Sequence, residues 1–326
     1  MAQPNEVVFI TGAAGMVGAH LIDYYKKILD KENIIGSWFR PTIDVNDILG
    51  KCTARKLDVT DDRKVFEFIN RYRPAKIFHL AAQSYPTVSW EKPIETLDTN
   101  LHGTVNVFES VKKIRATDSE YNPMIIVACS SAEYVASLTP ENTPVKEETP
   151  LLPLHPYGVS KVGQDLLSFQ YWKNFNIRCI RVRIFNTTGA RKTNDVTSDF
   201  VQRAFEISKG AENIFRVGNL ETRRAITDVR DLVNAMVLLS EKGNSGDVYN
   251  VSGDKVYLVK DIIPLIGKAV GIKLNVVVDD RLLRPSDEPI IFGDSSKLKR
   301  DTGWQQKYSL EETIIDMFQY LVSKNR

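Results

Sequence analysis

Near its start the chain reads Val7-Val8-Phe9-Ile10-Thr11-Gly12-Ala13-Ala14-Gly15-Met16-Val17-Gly18, an apolar run followed by three glycines spaced three apart. The apolar run predicts a buried strand, and the residues after it show apolar side chains at helical spacing. A strand that turns through glycines into a helix brings backbone amides against a pyrophosphate, where side chains would obstruct contact. The stretch therefore predicts a dinucleotide-binding turn, with Gly12, Gly15, Met16, Val17 and Gly18 at the cofactor.

Strand and helix patterns alternate over the first half of the chain. Strand patterns cover 7–10, 34–39, 54–57, 77–80, 125–129 and 177–184, and helical patterns cover 18–29, 62–72, 94–111 and 156–174. This alternation predicts an α/β fold, namely a Rossmann-type doubly wound parallel sheet with helices on both faces. We expect an NAD(P)-binding Rossmann domain over 1–186, with its sheet completed by parts of 225–252. Residues 187–326 should mainly form a smaller C-terminal substrate-binding lobe.

Composition excludes several classes of protein. The 326 residues carry a net charge of only +2, whereas nucleic-acid-binding domains concentrate basic charge. No apolar run approaches the roughly 18 residues that a membrane span requires, and the first residues lack the pattern of a secretory signal. We therefore predict no nucleic-acid partner, no membrane association and a cytoplasmic location. The three cysteines and four histidines show no ligand or disulfide spacing, which predicts no metal site.

The second predicted strand ends in Ser37-Trp38-Phe39-Arg40 and contains no acid. Enzymes that use NAD normally place a carboxylate there to bind the ribose 2′-hydroxyl. The guanidinium of Arg40 could instead pair with a 2′-phosphate through two hydrogen bonds. We therefore expect NADP, and NAD only as the less favoured cofactor.

Tyr157 and Lys161 are four residues apart in a predicted helix, so they lie on one face, one turn apart. An ammonium beside the phenol, together with a bound nicotinamide cation, would lower the phenol pKa from its reference value of about 10. Such a pair is suited to moving a proton on or off a hydroxyl while hydride moves to or from nicotinamide.

The glycine spacing, the Tyr157–Lys161 pair and Ser130-Ser131 at the end of the fifth predicted strand resemble the extended short-chain dehydrogenase/reductase family. The resemblance implies that Ser131 hydrogen-bonds the reacting oxygen. It further implies that cofactor-binding residues include Asp58, Val59, Leu80, Ala81, Ala82 and Asn100, besides Tyr157 and Lys161 themselves.

Three further segments narrow this resemblance: Ala81–Ser84 with Ser89–Pro93, Val217–Glu221 with Arg224, and Leu283–Asp287. They look like the group of GDP-mannose 4,6-dehydratases and GDP-4-keto-6-deoxymannose reductases. The group implies a GDP-linked sugar as substrate of the C-terminal lobe, and a homodimer or homotetramer. The implied substrate-binding residues are Ser84, Asn186, Arg191, Asn219, Arg224, Arg284 and Asp287, with Asn186, Arg224 and Arg284 at the diphosphate and Asp287 at the guanosine ribose.

The reaction type depends on the residues after Ser131. Glu133 is placed like the base of the dehydratases, but the reductases also carry a glutamate there. The neighbouring Ala132 replaces a hydroxyl residue that the dehydratases usually have, and alanine donates no proton. We therefore expect a 4-keto reductase, with a 4,6-dehydratase or a GDP-heptose or GDP-amino-sugar relative as alternatives. A second alternative is a catalytically idle NADP-binding sensor or scaffold.

Overall fold

The computed structural model describes residues 6–282 and 288–325 of the chain. Its strands are β1 Val8–Thr11, β2 Ile34–Trp38, β3 Thr53–Lys56, β4 Lys76–His79, β5 Met124–Ser130, β6 Cys179–Ile184, β7 Thr187–Thr188, β8 Phe215–Val217, β9 Arg223–Ala225, β10 Thr227–Asp228, β11 Val248–Val251, β12 Val256–Leu258, β13 Val276–Val278 and β14 Ile290–Ile291. Its α-helices are α1 Met16–Tyr25, α2 Asp62–Tyr72, α3 Pro86–Glu91, α4 Pro93–Leu97, α5 Gly103–Arg115, α6 Pro156–Phe175, α7 Val196–Ser208, α8 Val229–Lys242, α9 Val259–Val270, α10 Ser296–Thr302 and α11 Leu310–Lys324.

Seven strands form one sheet in the order β11-β6-β5-β4-β1-β2-β3, and every neighbouring pair is parallel. The strand order reverses between β1 and β4, and ligands of such sheets bind in the crevice at the carboxyl ends of the strands there. The predicted Rossmann-type parallel sheet is confirmed, and β11, far along the chain, forms one edge of it.

Apolar side chains cover both faces of the sheet. One core contains Ile22 of α1 and Leu232 of α8, and the other contains Ile69 of α2 and Val107 of α5. A third core joins α7, α9 and α11 in the C-terminal part of the chain, where the short strands β8 and β13 pair with each other. No helix among the described residues is long and apolar enough to cross a membrane.

The helix predicted over 94–111 is divided in the structure. Pro86 and Pro93 begin two separate short helices, as expected of proline in a first helical turn. The chain then makes a π-helical turn over Asp98–His102 before α5 begins at Gly103. Such turns insert one residue into a helix and are common at functional sites. The insertion places Asn100 in the interior, where it is fully buried.

Candidate active site

The glycine turn between β1 and α1 has room only for backbone. Gly12 has a φ of +67°, and a Cβ there would lie 2.9 Å from the backbone nitrogen of Ala81. A Cβ on Gly18 would lie 2.5 Å from the carbonyl oxygen of Gly12. Helix α1 begins after Gly15 without a side-chain cap, so its first amides, at Met16 and Val17, are not used by a capping side chain. The turn therefore fits a dinucleotide pyrophosphate.

Thr11 joins the glycine turn to the end of β4. Its Oγ1 accepts hydrogen bonds from the backbone nitrogens of Leu80 and Ala81, both at 3.0 Å. Leu80, Ala81 and Ala82, predicted at the cofactor, therefore follow β4 at the crevice beside the turn. The sequence patterns did not single out Thr11.

The residues predicted at the adenosine end of the cofactor lie at the carboxyl ends of β2 and β3. Arg40 has a side chain 70% exposed and forms an ion pair with Glu95 at the start of α4. Asp58 accepts hydrogen bonds from the backbone nitrogen and hydroxyl of Thr60, at 3.0 and 2.8 Å, and Val59 is buried. The guanidinium of Arg40 is thus exposed two residues after β2, and a 2′-phosphate there would compete with Glu95 for it.

Tyr157 and Lys161 lie in the first turns of α6 and are both nearly buried. The Lys161 Nζ is 5.7 Å from the centre of the Tyr157 ring and donates hydrogen bonds of 2.7 Å to the carbonyl of Ala128 and to Gln164 Oε1. Burial lowers the pKa of Lys161 to about 8. Asn100 reaches the same helix, because its Nδ2 donates to the hydroxyl of Ser160 at 2.8 Å.

The Tyr157 hydroxyl forms a hydrogen bond with the side chain of Ser130, the residue before the predicted Ser131. Burial raises the pKa of Tyr157 to about 12, although the hydrogen bond with the Ser130 side chain lowers it. Burial is the largest effect on this pKa, and it favours the neutral phenol at pH 7. Ser130 is the last residue of β5, and Ser131 begins the short helical turn that follows it.

Glu133 lies in the interior and is fully buried. Its Oε1 accepts from the backbone nitrogen of Ser130 at 2.9 Å, and its Oε2 lies 3.1 Å from Arg183 Nε. Arg183 also donates to Asp165 at 2.9 Å, and Arg181 donates to the other Asp165 oxygen at 2.7 Å. Burial and the nearby Asp165 carboxylate raise the pKa of Glu133. Glu133 therefore belongs to a buried ion-pair cluster behind the Ser130 turn.

The same cluster brings Cys129, Glu133 and Asp165 close together, with ligand atoms within 4.8 Å of one another. The guanidinium groups of Arg181 and Arg183 already supply positive charge to these carboxylates. The arrangement is therefore that of a structural ion-pair network.

His155 caps the helix that carries Tyr157. Its Nδ1 accepts from the backbone nitrogen of Gly158 at 2.9 Å, and its ring lies nearly parallel to that of Tyr157, with ring centres 5.9 Å apart. Sequence reasoning did not place His155 beside the catalytic candidates, because no capping pattern identifies a histidine.

The predicted substrate residues fall into several places. Asn186 follows β6 at the carboxyl edge of the sheet, and its carbonyl accepts from Thr227 at 2.9 Å. Arg224, 8% exposed on β9, donates to the carbonyl of Glu288 at 2.8 Å. Ser84 follows β4 and is exposed, and Asn219 is exposed in the turn after β8. Arg284 and Asp287 lie outside the described residues.

The side chain of Arg191 forms ion pairs with acidic residues near the start of the chain. It pairs with Asp23 of α1 at 2.8 Å and with Asp47 at 3.3 Å. It also lines a cavity of about 580 Å³ between α1, α8 and α11, which none of the other described substrate candidates lines. The sequence around Arg191 did not indicate these acidic partners, because they come from distant parts of the chain.

Known proteins share both the sequence and the architecture. The family model described as GDP-mannose 4,6 dehydratase matches residues 9–317. The GDP-6-deoxy-D-mannose reductase of Pseudomonas aeruginosa is 25% identical, over 94% of this chain and 94% of its own length. The GDP-mannose 4,6-dehydratase sdnI of Sordaria araneosa is 25% identical over 97% of this chain, which spans 61% of that relative's length.

Among solved structures, RMD from Pseudomonas aeruginosa complexed with NADPH superposes with a TM-score of 0.84 at 23% identity, over 98% of this chain and 99% of that chain. The family model covers almost the whole chain, and the glycine turn, Tyr157 and Lys161 stand together at one edge of the sheet. The chain therefore belongs to the GDP-mannose 4,6 dehydratase family and is an enzyme of the extended short-chain dehydrogenase/reductase type.

Proposed function

We propose that this enzyme reduces the C4 keto group of a GDP-4-keto-6-deoxy-hexose, with NADPH as reductant. The observation that supports a reductase is the placement of Glu133. A 4,6-dehydratase needs a base that removes the C5 proton, and Glu133 is the candidate for it. Its carboxylate is fully buried, with Oε1 accepting from Ser130 and Oε2 paired electrostatically with Arg183 at 3.1 Å but without a hydrogen-bond partner among the described residues. A reductase needs no such base.

Two observations support NADP as the cofactor. Arg40 stands exposed at the end of β2, where a guanidinium can pair with a 2′-phosphate. The similar RMD structure was solved in complex with NADPH. When bound, the reduced nicotinamide supplies the hydride that the carbonyl carbon receives.

The protein groups supply the proton and the orientation. Neutral Tyr157 is the proton donor for the C4 oxygen, and Ser130 or its neighbour Ser131 hydrogen-bonds the same oxygen. The Lys161 ammonium stabilises the phenolate that remains after proton transfer. We further propose that Asn186, Arg224 and Arg284 bind the diphosphate, that Asp287 binds the guanosine ribose, and that Ser84 and Asn219 contribute polar contacts. The ion pairs of Arg191 argue for a structural part in closing the loop after β7.

A GDP-mannose 4,6-dehydratase is the second candidate, favoured by the description of the family model and by the relative from Sordaria araneosa. This reaction oxidises C4, eliminates water between C5 and C6, and returns the hydride to C6. It consumes no cofactor, whereas the reductase consumes one NADPH for each turnover.

The two reactions are separated by one assay. The protein is incubated with NADPH and GDP-4-keto-6-deoxymannose, and absorbance of the reduced nicotinamide is followed. A stoichiometric decrease is expected. Conversion of GDP-mannose to a 4-keto product without net NADPH consumption would replace the reductase proposal with the dehydratase. Absence of turnover with any GDP-sugar, with no effect of Tyr157→Phe, would favour an idle cofactor-binding protein.

We also propose a domain division at residue 186, a cytoplasmic location and a homo-oligomer. Helix α6 supports the oligomer, because Val159, Leu166 and Phe169 lie on one face and are 51%, 55% and 40% exposed. The molar mass measured by light scattering should be that of a dimer or tetramer, and Leu166→Glu should lower it toward that of the monomer. A monomeric wild-type protein would contradict this.

A further inference from the structure

A chain of hydrogen bonds holds the Lys161 ammonium from behind. Gln164 Oε1 accepts from Lys161 Nζ at 2.7 Å, and Gln164 Nε2 donates to Thr104 Oγ1 at 2.8 Å. The Thr104 hydroxyl donates in turn to the carbonyl of Asn100 at 2.7 Å. One side chain of α6 therefore links Lys161 to helix α5 and to the π-helical turn before it.

The chain continues to the glycine turn. His79 Nε2 lies 3.1 Å from Thr104 Oγ1, and His79 Nδ1 lies 3.0 Å from Thr11 Oγ1. Because Thr104 gives its own proton to Asn100, it accepts from His79, whose proton is therefore on Nε2. Burial lowers the pKa of His79 to about 3, so the ring stays neutral. Every bond between Thr11 and Lys161 thus has a defined donor and acceptor.

All the links of this chain are buried. Thr104 and His79 are completely inaccessible to solvent, Gln164 is 1% exposed and Lys161 is 3% exposed. Water cannot replace a partner that is lost, and an unpaired polar group in this position costs about 1–3 kcal/mol. The orientation of Gln164 is thereby fixed by Thr104 on one side and Lys161 on the other.

Few charges act on Lys161 from the surrounding elements. Burial, the largest effect, lowers the pKa of Lys161, whereas Cys129 in β5 and Glu133 in the turn after it raise it. Tyr157 on its own helix is neutral, as is His79 from β4. Glu133 is engaged by Arg183, so the amide oxygen of Gln164 is the side-chain acceptor that contacts the ammonium.

We propose that Gln164 is a positioning residue for catalysis, which fixes the Lys161 ammonium beside Tyr157 and, through Thr104 and His79, ties it to the cofactor turn at Thr11. The inference rests on the roles of Tyr157 and Lys161 in the proposed function. Gln164 is 1% exposed, lies behind Lys161 and acts through it.

The test is the pH dependence of kcat/KM for GDP-4-keto-6-deoxymannose with saturating NADPH. In the wild type, activity should fall as the pH rises through about 8, where Lys161 loses its proton. Gln164→Glu keeps the size of the side chain and places a carboxylate beside the Lys161 ammonium. The pH at which kcat/KM falls on the alkaline side, here called the alkaline limit, should therefore rise by about 1–3 pH units. Gln164→Leu removes the acceptor, so the limit should move down.

Thr104→Val and Gln170→Glu complete the set. Thr104→Val cuts the chain without touching Lys161 and should shift the alkaline limit in the direction of Gln164→Leu, but less. Gln170→Glu makes the same charge change elsewhere on α6 and should leave the profile unchanged. Opposite shifts for the two Gln164 variants support positioning, since a purely structural residue would lower activity at every pH alike.

The same pH series is repeated on NADPH affinity, measured by nucleotide fluorescence without any sugar. A wild-type protein that binds NADPH but reduces no GDP-keto-sugar would overturn the reductase proposal, and the fluorescence series would then decide the role of Gln164. Unshifted profiles for both Gln164→Glu and Gln164→Leu, in either assay, would overturn the inference. Because Gln164→Glu is nearly isosteric, it decides the question even if Gln164→Leu fails to fold.

Discussion

The Glu133 carboxylate lies 3.1 Å from Arg183 Nε, and the two side chains are 0% and 5% exposed. Arg183 Nη1 donates as well to the Tyr134 hydroxyl at 2.6 Å, and Tyr134 donates to Asn250 of β11 at 2.9 Å. The turn after β5 is therefore attached to β6 and β11 from inside the protein. Glu133, which the sequence offered as a proton carrier, thus also contacts the backbone of Ser130 from inside the protein.

Glu133→Gln should preserve most of the reductase activity. Glutamine keeps the hydrogen bond to Ser130 and loses the charge opposite Arg183, which retains Asp165. We expect kcat to stay within about tenfold of wild type, and the free energy of unfolding to fall by about 1–3 kcal/mol. Stopped assays of NADPH oxidation and urea unfolding measure the two quantities. Glu148→Gln, at an exposed position, is the control, and a thousandfold loss of kcat at unchanged stability would identify Glu133 as a proton carrier.

Tyr157→Phe should remove the proton donor and leave the fold intact. General acid catalysis contributes about 10²–10⁴ in rate, so kcat should decrease by that factor. Tyr171→Phe, which removes a hydroxyl from the same helix at its bond to Glu109, is the matched control and should retain activity. Affinity for NADPH, measured by fluorescence, should change little in either variant. Activity of Tyr157→Phe within tenfold of wild type would contradict the assigned role.

Arg40→Gln should weaken the binding of NADPH and leave the binding of NADH unchanged. A hydrogen bond to a charged group contributes about 1.5–3 kcal/mol, so KM for NADPH should rise roughly 10- to 100-fold. Glu95→Gln releases Arg40 from its ion pair, and should lower KM for NADPH by a few-fold, because exposed pairs contribute little. Arg63→Gln, an exposed arginine paired with Glu67 on α2, is the control. Equal effects of Arg40→Gln on both cofactors would show that Arg40 does not read the 2′-phosphate.

His79 should make stability decline in mild acid. The unfolded chain protonates this histidine below its ordinary pKa of about 6.5, whereas the folded protein resists protonation down to about 3. The contribution of neutral His79 to the free energy of unfolding is therefore fully present above pH 6.5 and is lost as the pH falls toward 3. At pH 5 the loss should be about 2 kcal/mol. Urea unfolding between pH 7.5 and 5 should show a shallower decline for His79→Gln than for wild type. Parallel declines would refute the assignment, and His102→Gln, at an exposed histidine, is the control.

The sequence predicted those features of the enzyme that depend only on neighbouring residues in the chain. The glycines before α1, the alternation of strands and helices and the Tyr157–Lys161 spacing each follow from backbone geometry within one turn or one strand. The burial of Glu133 and the ion pairs of Arg191 depend on Arg183, Asp23 and Asp47, which lie 50 to 168 residues away. No pattern within one segment contains such partners.

The division of the helix predicted over 94–111 has a different cause. It depends on a one-residue insertion, the π-helical turn that turns Asn100 inward. The pattern of apolar residues does not reveal such an insertion, because the turns on either side of it still direct enough apolar side chains into the core.

The inner face of α6 consists of polar side chains, each with a partner from a separate segment. Ser160 meets Asn100, Gln164 meets Thr104, and Asp165 meets Arg181 and Arg183. A change at one of these positions leaves its partner unmatched in the interior. Homologous enzymes should therefore diverge here by paired replacements, so that positions 164 and 104 vary together, as do 165 and 181. The residues on this face of α6 should therefore evolve together with their partners. A chimera that exchanges α6 alone would separate each residue from its partner and should be less stable.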